Sequence, residues 1–127
     1  MSRSDEDSYA QNRSRAQELD DRNARIRTLN DRFRTTLVGG RIVVTAGVRA
    51  LPLLTINNLV RQVAEFGPFT PDNDPYDQHD FGCIHIGDQR FFWKIDCYDK
   101  QLEFGSPDPG DEAVTARVLT IMLAEEY

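Results

Sequence analysis

The chain has 127 residues, 39% apolar and 28% charged, with 15 Lys and Arg against 21 Asp and Glu for a net charge of −6. That is the size of one domain, able to bury a core without help from disulfides or metals, and the apolar content excludes a disordered or low-complexity chain. The negative balance argues against a protein that coats nucleic acid along its surface.

The charge is unevenly placed. Residues 1–50 carry ten Arg against seven acids, a net of +3, and residues 51–127 carry five cations against fourteen acids, a net of −9. No segment approaches the run of about 18 apolar residues that a membrane-spanning helix needs. The start, MSRSDEDSYAQNRSR, has no apolar signal core. No membrane association and a cytoplasmic location are therefore expected.

Residues 1–8 are polar and acidic and are expected to form a flexible tail. Residues 9–37 read as a long charged helix with a narrow stripe: Leu19, Ile26 and Phe33 recur every seven residues, with Leu29 between them and Ala16 and Leu37 extending the row. Arg13, Arg15, Arg22, Arg25, Arg27, Arg32 and Arg34 alternate with Glu18, Asp20, Asp21 and Asp31, the mixture of a solvated helix laced with i,i+4 ion pairs. So narrow a stripe packs by its C-terminal half, or against a second copy, which makes a homo-oligomer through this helix a natural expectation.

Residues 38–127 then form a single α+β domain. Gly39-Gly40 breaks the helix, and the β-branched run that follows predicts a strand over 41–46. A second helix is expected from Thr55 as N-cap, with Leu54 and Leu59 at staple spacing. Its Ile56, Leu59, Val60, Val63 and Ala64 define one buried face, and Gly67-Pro68 ends it. PFTPDNDPYDQHD, residues 68–80, is a long loop with three prolines.

Gly87-Asp88 is a tight-turn pair that sets Ile86 against Gln89, His85 against Arg90, Ile84 against Phe91 and Gly82 against Trp93. Asp99-Lys100 would close a second hairpin, with Leu102 and Phe104 on a third strand opposite Cys97 and Ile95. One face of this meander carries Ile84, Ile86, Phe91, Trp93, Ile95 and Cys97, and the other Phe81, Cys83, His85, Arg90, Phe92, Lys94, Asp96 and Tyr98. Cys83 and Cys97 lie on opposite faces and are expected as free thiols. GSPDPGDE offers caps for a C-terminal helix with Val114, Val118, Ile121 and Met122 as its stripe. The order α-β-α-β-β-β-α predicts an α+β fold: an antiparallel sheet of about four strands, the first strand plus a three-strand meander, packed by three helices.

The segments DFG, FWKIDCYD, GSPDP and TARVLTIMLAEEY resemble those of an uncharacterised bacterial family of small stand-alone proteins, often borne on plasmids and other mobile elements and classed only as a domain of unknown function. The resemblance spans about residues 25–127, with Cys97 where an aromatic is expected. It implies an accessory role on a mobile element and brings no activity or catalytic residue.

The residues themselves favour binding over catalysis. No nucleophile elbow, phosphate loop or metal-protease helix is present. An enzyme would have to draw on the 74–85 segment, with His79, Asp80 and His85 around a concave pocket. No metal or other cofactor is implied: Cys83 and His85 form a pair without a second pair, and the acidic loop lacks the glycine and terminal Glu of a calcium loop. The aromatic and basic face of the 81–98 hairpin has the composition of an interface centre, so His85, Arg90, Phe92, Lys94 and Tyr98 are the expected contacts to a protein partner, unless a helix covers that face. Direct nucleic-acid binding is disfavoured by the acids among the arginines. The acidic second half could instead imitate nucleic acid and inhibit a restriction or CRISPR effector.

Overall fold

The computed structural model describes residues 3–127, with side chains from residue 14 onward. Residues 1–2 of the expected tail lie outside the described residues. Residues 3–8 are helical in backbone, within helix α1, Arg3–Thr36. Strand β1, Gly40–Val44, a single turn α2, Ala46–Arg49, and helix α3, Leu53–Glu65, follow. Strands β2, Phe81–Ile86, β3, Gln89–Tyr98, and β4, Ala116–Leu123, complete the fold.

The α+β class and the four-stranded sheet stand, but the sheet is mixed. Its order is β1-β4-β3-β2, with β1 parallel to β4 and the other two pairings antiparallel. The β2–β3 hairpin has the predicted register, including Ile84 opposite Phe91 and Gly82 opposite Trp93.

Two expected elements are replaced. The stretch predicted as a C-terminal helix is β4, the strand that joins β1 to the hairpin. Its apolar run satisfies a helical period and a strand period alike, and Val118, Thr120 and Ile121 tip the choice because β-branched side chains pack well on a pleated surface. Arg117, Leu119 and Ile121 point to one side, and Val118 and Thr120 to the other. The third meander strand is absent: after Tyr98 the chain turns through Asp99–Phe104 and makes one bridge, Tyr98 to Gly105. Leu102 and Phe104, placed in the core by the second hairpin, are exposed. The Asp111 carboxylate does cap a helix, accepting from the Ala113 amide at 2.9 Å, but only the 3-10 turn Glu112–Val114.

Helix α3 starts three residues earlier than predicted, with Pro52 rather than Thr55 at its N-cap, and Leu54 is 82% exposed, so no Leu54–Leu59 staple forms. Its C-terminus is held from outside. Arg34, 6% exposed, donates from Nη1 to the carbonyls of Val63 (2.8 Å) and Phe66 (2.9 Å), where a cation meets the negative end of the helix. The solvated-face reading of the Arg pattern thus fails at Arg34, and two other arginines reach far along the chain, Arg27 to Asp77 and Arg32 to Glu112.

Helices α1, α2 and α3 share one core with one face of the sheet. Phe33, Val48, Leu59 and Val63 meet Ile84, Phe91, Trp93, Ile95, Leu119 and Ile121. Among the described residues, α1 joins this core through Phe33; Ile26, Asn30 and Arg34 are also buried on its C-terminal turns, and residues 14–22 are exposed.

Candidate functional site

The strand registers fix what the other sheet face presents. Arg41, Val118 and Asp96 stand in one row, Val43, Thr120, Lys94 and Phe81 in the next, then Met122, Phe92 and Cys83, then Arg90 with His85. No helix among the described residues packs on this face, because all three belong to the opposite core. The residues predicted as contacts are brought together here. Phe92, Lys94 and Tyr98 are half-buried, His85 and Arg90 exposed.

A cluster that reading the sequence did not foresee organises one end of the face. Tyr127 stands edge-on to Phe81 and Phe92 with ring centroids 5.9 and 5.4 Å away, and the two phenylalanines are 5.2 Å apart. Tyr127 is positioned by the turn Ala124–Glu126, which Glu126 clasps to the sheet. Its carboxylate accepts from the Thr45 hydroxyl (2.6 Å), the Gly47 amide (3.1 Å) and the Leu123 amide (2.9 Å), which hold it below the usual carboxylate range. In mid-face Lys94 Nζ meets Asp96 at 2.9 Å, and that hydrogen bond raises the lysine above its ordinary value.

The thiols divide as expected. Cys83 is on the open face, with Sγ 3.7 Å from His85 Nε2, and Cys97 is on the core side, where burial pushes its thiol up.

The segment proposed for catalysis comes apart. His85 lines a cleft of about 320 Å³ beside Gln62, Glu65 and Phe66. His79 turns instead toward α1: its Nδ1 is 2.9 Å from Asp31 Oδ1 and 3.0 Å from Oδ2, and its ring stacks on Phe69 at 3.8 Å. Asp74, buried, accepts from the Gln78 amide (3.0 Å) and the His79 amide (3.2 Å). Asp80 is raised by burial and by the nearby Asp74 charge. Asp31 and Phe69 lie 48 and ten residues from His79 in sequence and gave no local signal. A second long-range link lies deeper: Arg117, 3% exposed, donates from Nε to Asn30 at 2.8 Å and from Nη2 to the Pro109 carbonyl, and desolvation lowers it.

A one-sided mixed sheet, with helices on one face and aromatic and cationic side chains on the other, defines a small α+β scaffold. The chain belongs to the family described as a protein of unknown function (DUF3768), which matches residues 44–126. No curated protein and no solved structure matches it. The resemblance read from its C-terminal motifs is to an uncharacterised family of this kind. No helix is long and apolar enough to cross a membrane among the described residues.

Proposed function

We propose that this chain is a non-enzymatic protein-binding module that docks a protein partner on its open sheet face. The observation that supports this reading is a sheet face bare of helices on which Phe81, Phe92, Tyr98 and Tyr127 accompany Arg90, Lys94 and His85. Apolar patches on a monomer's surface usually mark an interaction site, and aromatics with Arg carry most interface energy. The cations suit a partner surface that mixes apolar and acidic side chains. The decoy alternative rests on the −9 of residues 51–127 and draws nothing from this face, where Arg41, Arg90 and Lys94 stand against Asp96 alone. An accessory role on a bacterial mobile element follows from the resemblance only, and a cytoplasmic location from the lack of an apolar signal core in the N-terminal stretch.

The test places a photo-crosslinking residue at Phe92 or Tyr98, on the open face, or at Asn57, on the exposed side of α3. One discrete protein partner should be trapped from the sheet positions and not from 57, and Lys94→Glu should abolish it. Equal trapping from all three positions, or none from the sheet, overturns the proposal. Self-association through α1 is a companion proposal, supported by the exposure of Leu19 along residues 14–22. Light scattering of wild type and Leu19→Asp checks it, a monomer in both cases being the contrary result.

A further inference from the structure

We infer that Asp74, Asp77 and His79 form a binding site for a divalent transition-metal ion, with Asp31 orienting the histidine. The three side chains come from one loop and place one ligand atom each within 4.8 Å of the others. The His79 ring is fixed on two sides, by stacking on Phe69 and by Asp31 at Nδ1. In the neutral ring, a carboxylate on Nδ1 favours the proton there and directs the Nε2 lone pair outward, the arrangement that metal-bound histidines use.

That lone pair faces oxygen atoms. Nε2 lies 3.7 Å from Asp74 Oδ2 and 3.5 Å from Asp77 Oδ1. These separations are too long for hydrogen bonds. They match two ligands of one ion: bonds of about 2.0–2.2 Å at a tetrahedral angle put neighbouring ligand atoms roughly 3.3–3.6 Å apart. A neutral Nε2 and two carboxylate oxygens in this arrangement leave a place that either a proton on Nε2 or a bound cation fills.

A second observation, independent of the spacing, is charge. Arg34 pairs with Asp31, and Arg27 Nη1 pairs with the other oxygen of Asp77 at 2.6 Å, leaving Oδ1 available. Asp74, whose side chain is only 2% exposed, accepts from the Gln78 and His79 amides, but among the described residues it has no Arg or Lys partner, and the ionisable side chain nearest its Oδ2 is His79. A buried carboxylate is stable when a cation or a metal compensates it. Two carboxylates and one imidazole give an N/O donor set suited to zinc, cobalt, manganese or iron rather than to calcium, which takes six to eight oxygens. Three protein ligands leave a coordination position for water, so the site is of the open kind.

The test is titration of the metal-free full chain with Zn²⁺ by calorimetry and with Co²⁺ by visible absorption. One ion per chain is expected, with a Co²⁺ ligand-field band of low coordination number and a rise in unfolding temperature. Asp77→Asn, at a 69% exposed side chain that should leave the fold intact, should weaken binding at least tenfold, and His79→Gln should abolish it. Arg27→Met removes the competing cation and should leave binding equal or tighter, opposite in sign to the loss expected if Asp77 served only the Arg27 pair. His85→Ala should leave binding unchanged. Absence of a stoichiometric ion, retention of affinity in both Asp77→Asn and His79→Gln, or loss of binding in His85→Ala overturns the inference.

Discussion

The two faces of the sheet are made from the same strands, and neighbouring residues on β3 have opposite fates. Trp93 is fully buried under Phe66, Phe69 and Arg34, while Phe92, next to it, is half-buried beside Phe81 and Tyr127. Among the described residues, helices α1, α2 and α3 pack on one side of the sheet and none of them packs on the other. The difference shows how a strand period of two divides one sequence between two surroundings: one set of alternate positions holds the core, and the other is left outside it, where the proposed docking face lies.

The sharpest way to break this comparison is to truncate both neighbours. Trp93→Ala should lose about 3–5 kcal/mol, as large core aromatics do, and Phe92→Ala roughly 1 kcal/mol. Urea denaturation measures both, and equal losses would show that the open face is a second core. Next in size is Gly82, whose added Cβ would lie 2.3 Å from Trp93 Nε1 and 2.8 Å from Phe66. Gly82→Ala should cost about 1–3 kcal/mol by overpacking, whereas Gly105→Ala, with nothing within 4 Å, should be near neutral. Thermal melts of the pair decide it.

Thiol chemistry sharpens the contrast without altering the fold. Cys97 faces the core with its thiol raised by burial, so at neutral pH it should react with iodoacetamide about tenfold more slowly than Cys83. Mass spectrometry of a labelling time course gives the order, and simultaneous labelling would place the two thiols in like surroundings.

The smallest effect concerns the clasp beside the aromatic cluster. Glu126 is lowered in the folded chain, so its contribution to stability is present above the ordinary glutamate value of 4.5 and is lost as pH falls through the lower folded value. Glu126→Gln should therefore flatten the acid side of the stability profile and leave its slope near pH 7 unchanged. A melt series from pH 2 to 7 tests it, and identical acid limbs in both proteins would remove Glu126 from the account.

How legible the fold was varied with the distance over which its determinants act. The β2–β3 hairpin is specified by a two-residue turn and strict alternation, both local, and its register was readable to the residue. The body of α3 was readable from Leu59 and Val63 and its end from Gly67-Pro68, but its start was not, and the Arg34 contact that holds its C-terminus comes from another helix and left no local signal. At β4 the apolar run fitted two periods, and the choice fell to a pairing with β1 more than 70 residues away. That His85, Arg90, Phe92, Lys94 and Tyr98 share one sheet face was readable from strand parity, but the place of Tyr127 beside them was not, because it arrives through a turn. The surroundings of His79 were invisible for the same reason: Asp31 and Phe69 reach it only once α1 has docked.

The place of β4 has a consequence for biosynthesis. The strand that lies inside the sheet, between β1 and β3, is made last. Until it leaves the ribosome, β1 has no neighbour and the hairpin keeps a raw margin of unpaired amides and carbonyls. The nascent polypeptide cannot settle strand by strand as it emerges, and the sheet closes in a single late insertion. A stop codon shortly before residue 116 would therefore yield a sticky fragment prone to clumping, not a smaller working protein.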